Sequence, residues 1–212
     1  MQKYLDLKEN KEYTKLTEVA EIIKDGGIVV FPTETVYGIG ANALNQDDVK
    51  RLYNIKKRPL NKPISLLVSS IDMIEQVAKD ITDIEYGLIK EFFPGPLTII
   101  LNKKDIVPDI VTAGGNTVGI RMPQSEIALK LIEYAGVPIA TPSANISGKA
   151  SGIDLEDIMK EFEEGVDCFI DGGKSKIGLA STIVQVIEGV PHILREGSIS
   201  KEQIEKVCKR YK

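Results

Sequence analysis

Short apolar runs alternate with amphipathic stretches along the whole chain, and this alternation restricts the fold more than any single motif does. GIVVFP (27–32), ISLLV (64–68), LTIIL (97–101), CFI (168–170), TIVQVI (182–187) and HIL (192–194) are brief and rich in branched residues, the pattern of buried strands. Between them apolar residues recur at helical spacing. Leu16, Val19, Ala20 and Ile23 make one stripe, which Asp25-Gly26-Gly27 ends. A short helix over Asp47 to Lys56 puts Val49, Leu52, Tyr53 and Lys56 on one face. One helical segment carries Ile81, Ile84, Leu88 and Phe92, and another, capped by Ser125, carries Ala128, Leu131, Ile132 and Ala135. A further helix starts at Asp154, with Leu155, Ile158, Met159 and Phe162 inward, and the last opens with a Ser200/Gln203 capping box. No repeat, low-complexity tract or long linker interrupts the sequence. The expectation is an α/β fold: a single domain over 1–212 with a twisted mixed sheet flanked by helices.

Composition narrows the chemistry. A net charge of -4 over 212 residues argues against a protein that coats nucleic acid non-specifically. No run approaches the ~18 apolar residues of a membrane span, and MQKYLDLKEN lacks the apolar core of a signal peptide; the expected location is the cytoplasm, away from membranes. Cys168 and Cys208 give neither a disulfide framework nor a ligand spacing, and Cys208 shares a helical face with Ile204, Val207 and Tyr211, as a small core residue would. His192 is the only histidine. A multi-histidine metal site is therefore excluded, and any chemistry proceeds without a Ser–His or Cys–His relay.

Against the acidic balance, RLYNIKKRPLNKP (51–63) reverses the local sign: Lys50, Arg51, Lys56, Lys57, Arg58 and Lys62 fall where no acidic residue lies between Asp48 and Asp72. Prolines follow Arg58 and Lys62 and push each toward an extended backbone, so these cations have little freedom to lose on gripping a polyphosphate. Lys56, at the end of the core-facing stripe, is either a cation complementing the helix dipole or one delivered into a cleft. Three nucleotide-site patterns are decoys. Gly38-Ile39-Gly40-Ala41-Asn42-Ala43 has no acidic partner for a ribose, Gly173-Lys174-Ser175 has Cys168 where a phosphate loop needs glycine, and Asn145-Ile146-Ser147 matters only to a secreted protein. What remains is a set of hydroxyl residues and arginines at strand ends and turns: Thr33, Glu34, Thr35, Thr117, Arg121, Thr141, Ser143, Asn145, Ser151, Ser181, Thr182 and Arg195. Clefts beyond strand ends are where α/β sheets bind ligands, and two arginines suit an acid-bearing one.

In order, FPTETVYGIGANA, KKRPLNKP, FFPGPLT, TVGIRMP, TPSANISG and ASTIVQV resemble the YrdC/Sua5 family of threonylcarbamoyl-AMP synthases, over almost the whole chain. The length suits the family's single-domain form. The resemblance implies a twisted α/β sheet with a concave cationic cleft. It also implies an enzyme that converts L-threonine, bicarbonate and ATP to L-threonylcarbamoyladenylate and diphosphate, for t6A37 modification of tRNA. Carried over by motif, Thr33, Arg121, Thr141 and Ser181 would surround threonine. Lys56, Arg58, Lys62, Thr117, Ser143, Asn145, Ser151 and Arg195 would hold ATP, with Lys56 and Arg58 as the catalytic cations. Three positions depart from the pattern. Lys62 stands where some relatives have Asn, Leu67 where some have His, and Ala180 where Glu is common; Leu67 cannot hydrogen-bond. No protein metal site is implied, and Mg²⁺ is expected on the triphosphate, held mainly by ATP oxygens. The t6A transferase machinery is the implied partner, with tRNA itself an open one. Two rivals stand beside this reading: a non-catalytic double-stranded RNA-binding or regulatory protein using the same surface, and an adenylating or carbamoylating enzyme with another acceptor.

Overall fold

The computed structural model describes residues 2–9, 11–149, 152–162 and 164–211. The strands are β1 (Lys3–Asp6), β2 (Val29–Phe31), β3 (Gly38–Asn42), β4 (Leu66–Leu67), β5 (Ala78–Lys79), β6 (Leu97–Lys103), β7 (Thr117–Arg121), β8 (Ile139–Ala140), β9 (Cys168–Asp171), β10 (Thr182–Ile187) and β11 (Val190–Arg195). The helices are α1 (Leu16–Lys24), α2 (Gln46–Ile55), α3 (Ile71–Val77), α4 (Asp83–Phe92), α5 (Glu126–Ala135), α6 (Leu155–Glu161) and α7 (Lys201–Arg210). All eleven strands join one sheet in the order β1-β9-β2-β3-β8-β4-β7-β6-β10-β11, with β5 beside β6. Parallel pairs such as β4–β7 and β6–β10 alternate with antiparallel ones such as β2–β3 and β6–β7, so the sheet is mixed, as expected.

The helices form where periodicity and caps agree. Leu16, Val19, Ala20 and Ile23 are buried along α1, and the chain leaves at Gly26, whose φ of 83° is open to glycine at little cost. Asn45, Ser125 and Ser200 accept backbone N–H bonds at the starts of α2, α5 and α7, satisfying donors that a helix start leaves unpaired. Cys208 is buried with Ile204 and Val207, and His192 lies exposed on the edge strand β11. No helix among the described residues is long and apolar enough to cross a membrane.

Three expectations change. GIVVFP yields only three strand residues, because the Gly27 N–H bonds to the carbonyl of Ile22 in α1 and Pro32 has no N–H to give. ISLLV yields only β4, since the Ile64 N–H bonds to Val111 outside the sheet. The helix expected to carry Ile81, Ile84, Leu88 and Phe92 is α4, but Thr82 opens it with a capping box that leaves Ile81 outside; α3, capped by Ser70 and separated from α4 by a turn at Asp80 with a φ of 54°, is an additional helix.

Candidate active site

Strand ends from both halves of the sheet meet over one cleft. β7 delivers Arg121 at its last position, in register with Leu67 of β4. β10 begins beside Ser181, and Arg195, closing β11, lies opposite Ile183. The loop after β2 brings Thr33, Glu34 and Thr35, and the loop after β8 brings Thr141, Pro142 and Ser143, pinned by a bridge between Gly38 and Ser143. Arg58, Arg121, Thr141, Ser143, Ser181 and Arg195 line the cleft together with Thr35, Ser65, Leu67 and Thr98. A smaller pocket shares Val36, Leu67, Arg121 and Thr141 with it and adds Thr33 and Gly38. Glycine sets the width of this smaller pocket. A Cβ on Gly38 would come within 2.5 Å of the Thr141 methyl, and one on Gly40 within 2.6 Å of the Ile139 methyl.

Arg121 is the most enclosed of the cations that line the cleft, only 7% exposed. Its Nε donates to the Gly95 carbonyl at 3.2 Å and its Nη1 to Thr35 Oγ1 at 2.9 Å. Its Nη2 lies 2.7 Å from Glu34 Oε1. Burial pushes its pKa down while Glu34 pulls it back. Arg195 donates from Nε to the Ser181 carbonyl and from Nη2 to Ser181 Oγ, both at 3.0 Å, and Ser181 Oγ also meets Thr98 Oγ1 at 2.8 Å. Burial first, and then the charge of Arg121, push Arg195 down. Two guanidiniums that disfavour one another across a partly dry cleft favour an anion between them.

The cationic loop divides its residues between different tasks. Lys56 follows α2 as its cap and is 1% exposed. Its amine donates to the carbonyls of Ser143 and Asn145, and its own carbonyl accepts from Ser147 N at 3.0 Å. Burial, then Arg58, lowers its pKa to about 7. Lys56 thus ties the loop after β8 to α2 rather than pointing into the cleft. The chain turns at Lys57, whose φ is 50°. Arg58 lines the cleft half-exposed, with Nε on the Lys62 carbonyl at 3.1 Å and Nη2 on that of Pro63 at 2.8 Å.

Other expected positions fall elsewhere. Lys62 is exposed on the outside of its loop. Buried Asn145 spends its amide on the Ile146 and Lys149 carbonyls and accepts from Ser143 Oγ. Thr33 donates to the Val36 carbonyl at 2.6 Å. Thr117 opens β7, the strand that Arg121 closes, which puts it about 13 Å away along the strand. Ser151 lies outside the described residues. The sequence placed Glu34 and Thr35 among the strand-end residues with no individual role, because short polar residues after a strand read as turn formers, and passed over Thr98 inside a strand; only folding sets them against Arg121 and Ser181.

A model of the Sua5, YciO and YrdC family, described as telomere recombination, matches residues 21–197. A Pyrococcus abyssi protein named threonylcarbamoyl-AMP synthase is 45% identical over 203 residues, 96% of this chain and 60% of that protein; the chain therefore spans about three fifths of that relative. A Methanocaldococcus jannaschii relative is 41% identical over 95% of both chains. The crystal structure of P. abyssi Sua5 complexed with L-threonine superposes with a TM-score of 0.93 at 45% identity, over 96% of this chain and 60% of that one.

Proposed function

The chain belongs to the Sua5/YciO/YrdC family, and from that premise we propose that it is an L-threonylcarbamoyladenylate synthase. It would join L-threonine, bicarbonate and ATP into threonylcarbamoyl-AMP and diphosphate. The observation that carries this reading is the pairing of Arg121 with Arg195 in a cleft rimmed by the hydroxyls of Thr35, Thr98, Thr141, Ser143 and Ser181 and lined, among the described residues, by no carboxylate or imidazole. Such a site is built to hold an anionic or zwitterionic substrate and to stabilise charge, not to relay protons. That a relative with this fold was crystallised with L-threonine supports the choice of substrate.

In this reading Arg121 takes the threonine carboxylate, with Thr33, Thr141 and Ser181 around it. Arg58, Ser143 and Arg195 take the phosphates. Lys56 and Asn145 act on ATP through the loop they brace, Lys62 and Thr117 at its periphery, and Ser151 on the stretch that follows. The threonine amine captures carbon dioxide or bicarbonate as a carbamate, whose oxygen attacks the α-phosphorus as diphosphate leaves. Little covalent work falls to the protein; positioning and charge stabilisation are the catalytic means. Among the described residues no group of His, Cys, Asp or Glu could hold a metal. Mg²⁺, which keeps its waters and needs few protein ligands, would enter as part of Mg·ATP. The product would feed t6A37 formation through a partner that transfers it to tRNA. The test is diphosphate release with ATP, Mg²⁺ and bicarbonate, expected only when L-threonine is added. Release independent of threonine, or RNA binding without release, would overturn the reading.

A further inference from the structure

We propose that Glu34 is a positioning residue: its carboxylate stands behind Arg121 and holds the guanidinium ready for the carboxylate of the amino-acid substrate. This rests on the reading of Arg121 as the threonine partner. Glu34 and Arg121 side chains are 6% and 8% exposed and lie 2.7 Å apart. The short contact balances the buried guanidinium with a buried carboxylate, and removing one member of such a pair leaves the other charge uncompensated.

The two members of the pair face different clefts. Arg121 lines the ligand cleft, whereas Glu34 lines a separate one with Pro32, Ser125 and Lys176. The ion pair is thus part of the wall between them. Nε and one Nη1 proton are committed to Gly95 and Thr35 and Nη2 is turned to Glu34, which leaves the second Nη1 proton for a substrate carboxylate. The Glu34 oxygens are closed to solvent, so Glu34 acts through Arg121 and does not touch substrate. Its backbone is fixed as well: the Glu34 and Thr35 carbonyls accept from Ile177 N and Gly178 N, each at 2.8 Å. Glu34 offsets the repulsion between Arg121 and Arg195, keeping the guanidinium charged and still.

The test combines Glu34→Gln, Glu34→Asp and two binding titrations on the whole chain. Glu34→Gln keeps the shape and removes the charge. Truncating one member of a buried pair is costly, so L-threonine affinity should fall by about thirtyfold or more with ATP affinity unchanged. Glu34→Asp keeps the charge on a shorter arm and should recover part of that loss. Independently of any ligand, the ¹⁵N signals of the Arg121 Nη groups should be resolved in the wild type and averaged by rotation in Glu34→Gln. If Gln does not fold, Asp decides: weakened threonine binding with intact ATP binding supports the proposal. Equal losses for both ligands, unchanged threonine affinity, or an Asp variant no better than Gln would overturn it. A wild type that binds no threonine would instead sink the reading of the pocket, and the Arg121 signals would then decide the role of Glu34 alone.

Discussion

Arg121 and Arg58 line the same cleft, but they are built in opposite ways. Arg121 is buried, with a buried counter-ion and two committed donors. Arg58 is half-exposed and rests on carbonyls of its own loop, from Lys62 and Pro63. The first is fixed by long-range pairing between strands far apart in sequence, the second by a local turn. A charge set in the wall contributes to the fold and the ligand alike, so its loss should be felt in both. A charge on the rim should affect the ligand almost alone.

The largest effect should come from Arg121→Met. Removing one partner of a buried pair costs about 3–5 kcal/mol, because Glu34 is left uncompensated. Threonine-dependent diphosphate release should fall at least a hundredfold, and the melting temperature should fall with it. Lost activity at an unchanged melting temperature would erase the distinction between wall and rim. Arg58→Ala comes next: a hydrogen bond to a charged group contributes roughly 1.5–3 kcal/mol, so kcat/KM should drop about tenfold to a hundredfold with melting unchanged. Arg58→Lys should recover only part, since an ammonium lacks the planar fork, and the exposed neighbour Lys57→Ala should be nearly silent. A crippled Lys57→Ala beside a normal Arg58→Ala would misplace the rim.

Lys56 offers a third contrast, through pH. Its folded pKa of about 7 lies below the ordinary lysine value of 10.5. Between these values the unfolded chain binds a proton that the folded one does not, so stability rises with pH across that window, by at most ~1.4 kcal/mol per unit. Below it both states are protonated and the full burial penalty stays. Urea midpoints of the wild type should therefore climb from pH 7 to 9, and Lys56→Met should flatten the climb. A neutral amine still has two N–H groups for the Ser143 and Asn145 carbonyls, so the tie survives deprotonation. Equal slopes in both proteins would show that Lys56 stays charged. A small effect is expected at Leu67, an apolar residue that lines the cleft with Thr141. Leu67→His should shift apparent threonine affinity within about tenfold, as one side-chain contact in a pocket does, and leave ATP alone. Superimposable threonine titrations would remove Leu67 from the pocket.

Legibility in the sequence followed the range of the forces involved. α1, α5 and α7 could be read with their caps, because periodicity and a Ser or Gly a few residues away fix them locally. The shortness of β4 and the insertion of β5 after α3 could not, because partners at Val111 and in β6 decide where extended chain counts as strand. The site divides the same way. Arg121, Thr141, Ser143, Ser181 and Arg195 stood out as polar residues at strand ends and do share the cleft. Thr117 was named from the same short strand, whose other end it occupies. Glu34 and Thr35 gained their meaning only from a strand some ninety positions away.

Gly38 and Gly40 carry a consequence for the inheritance of this site. Neither has a side chain to offer a ligand, yet a single methyl at either would crowd Thr141 or Ile139, and turning Thr141 aside would carry its hydroxyl out of the pocket. Across a library of single substitutions, these two positions should therefore tolerate as little change as the arginines do, while the charges of exposed Lys57 and Lys62 can be removed at small cost.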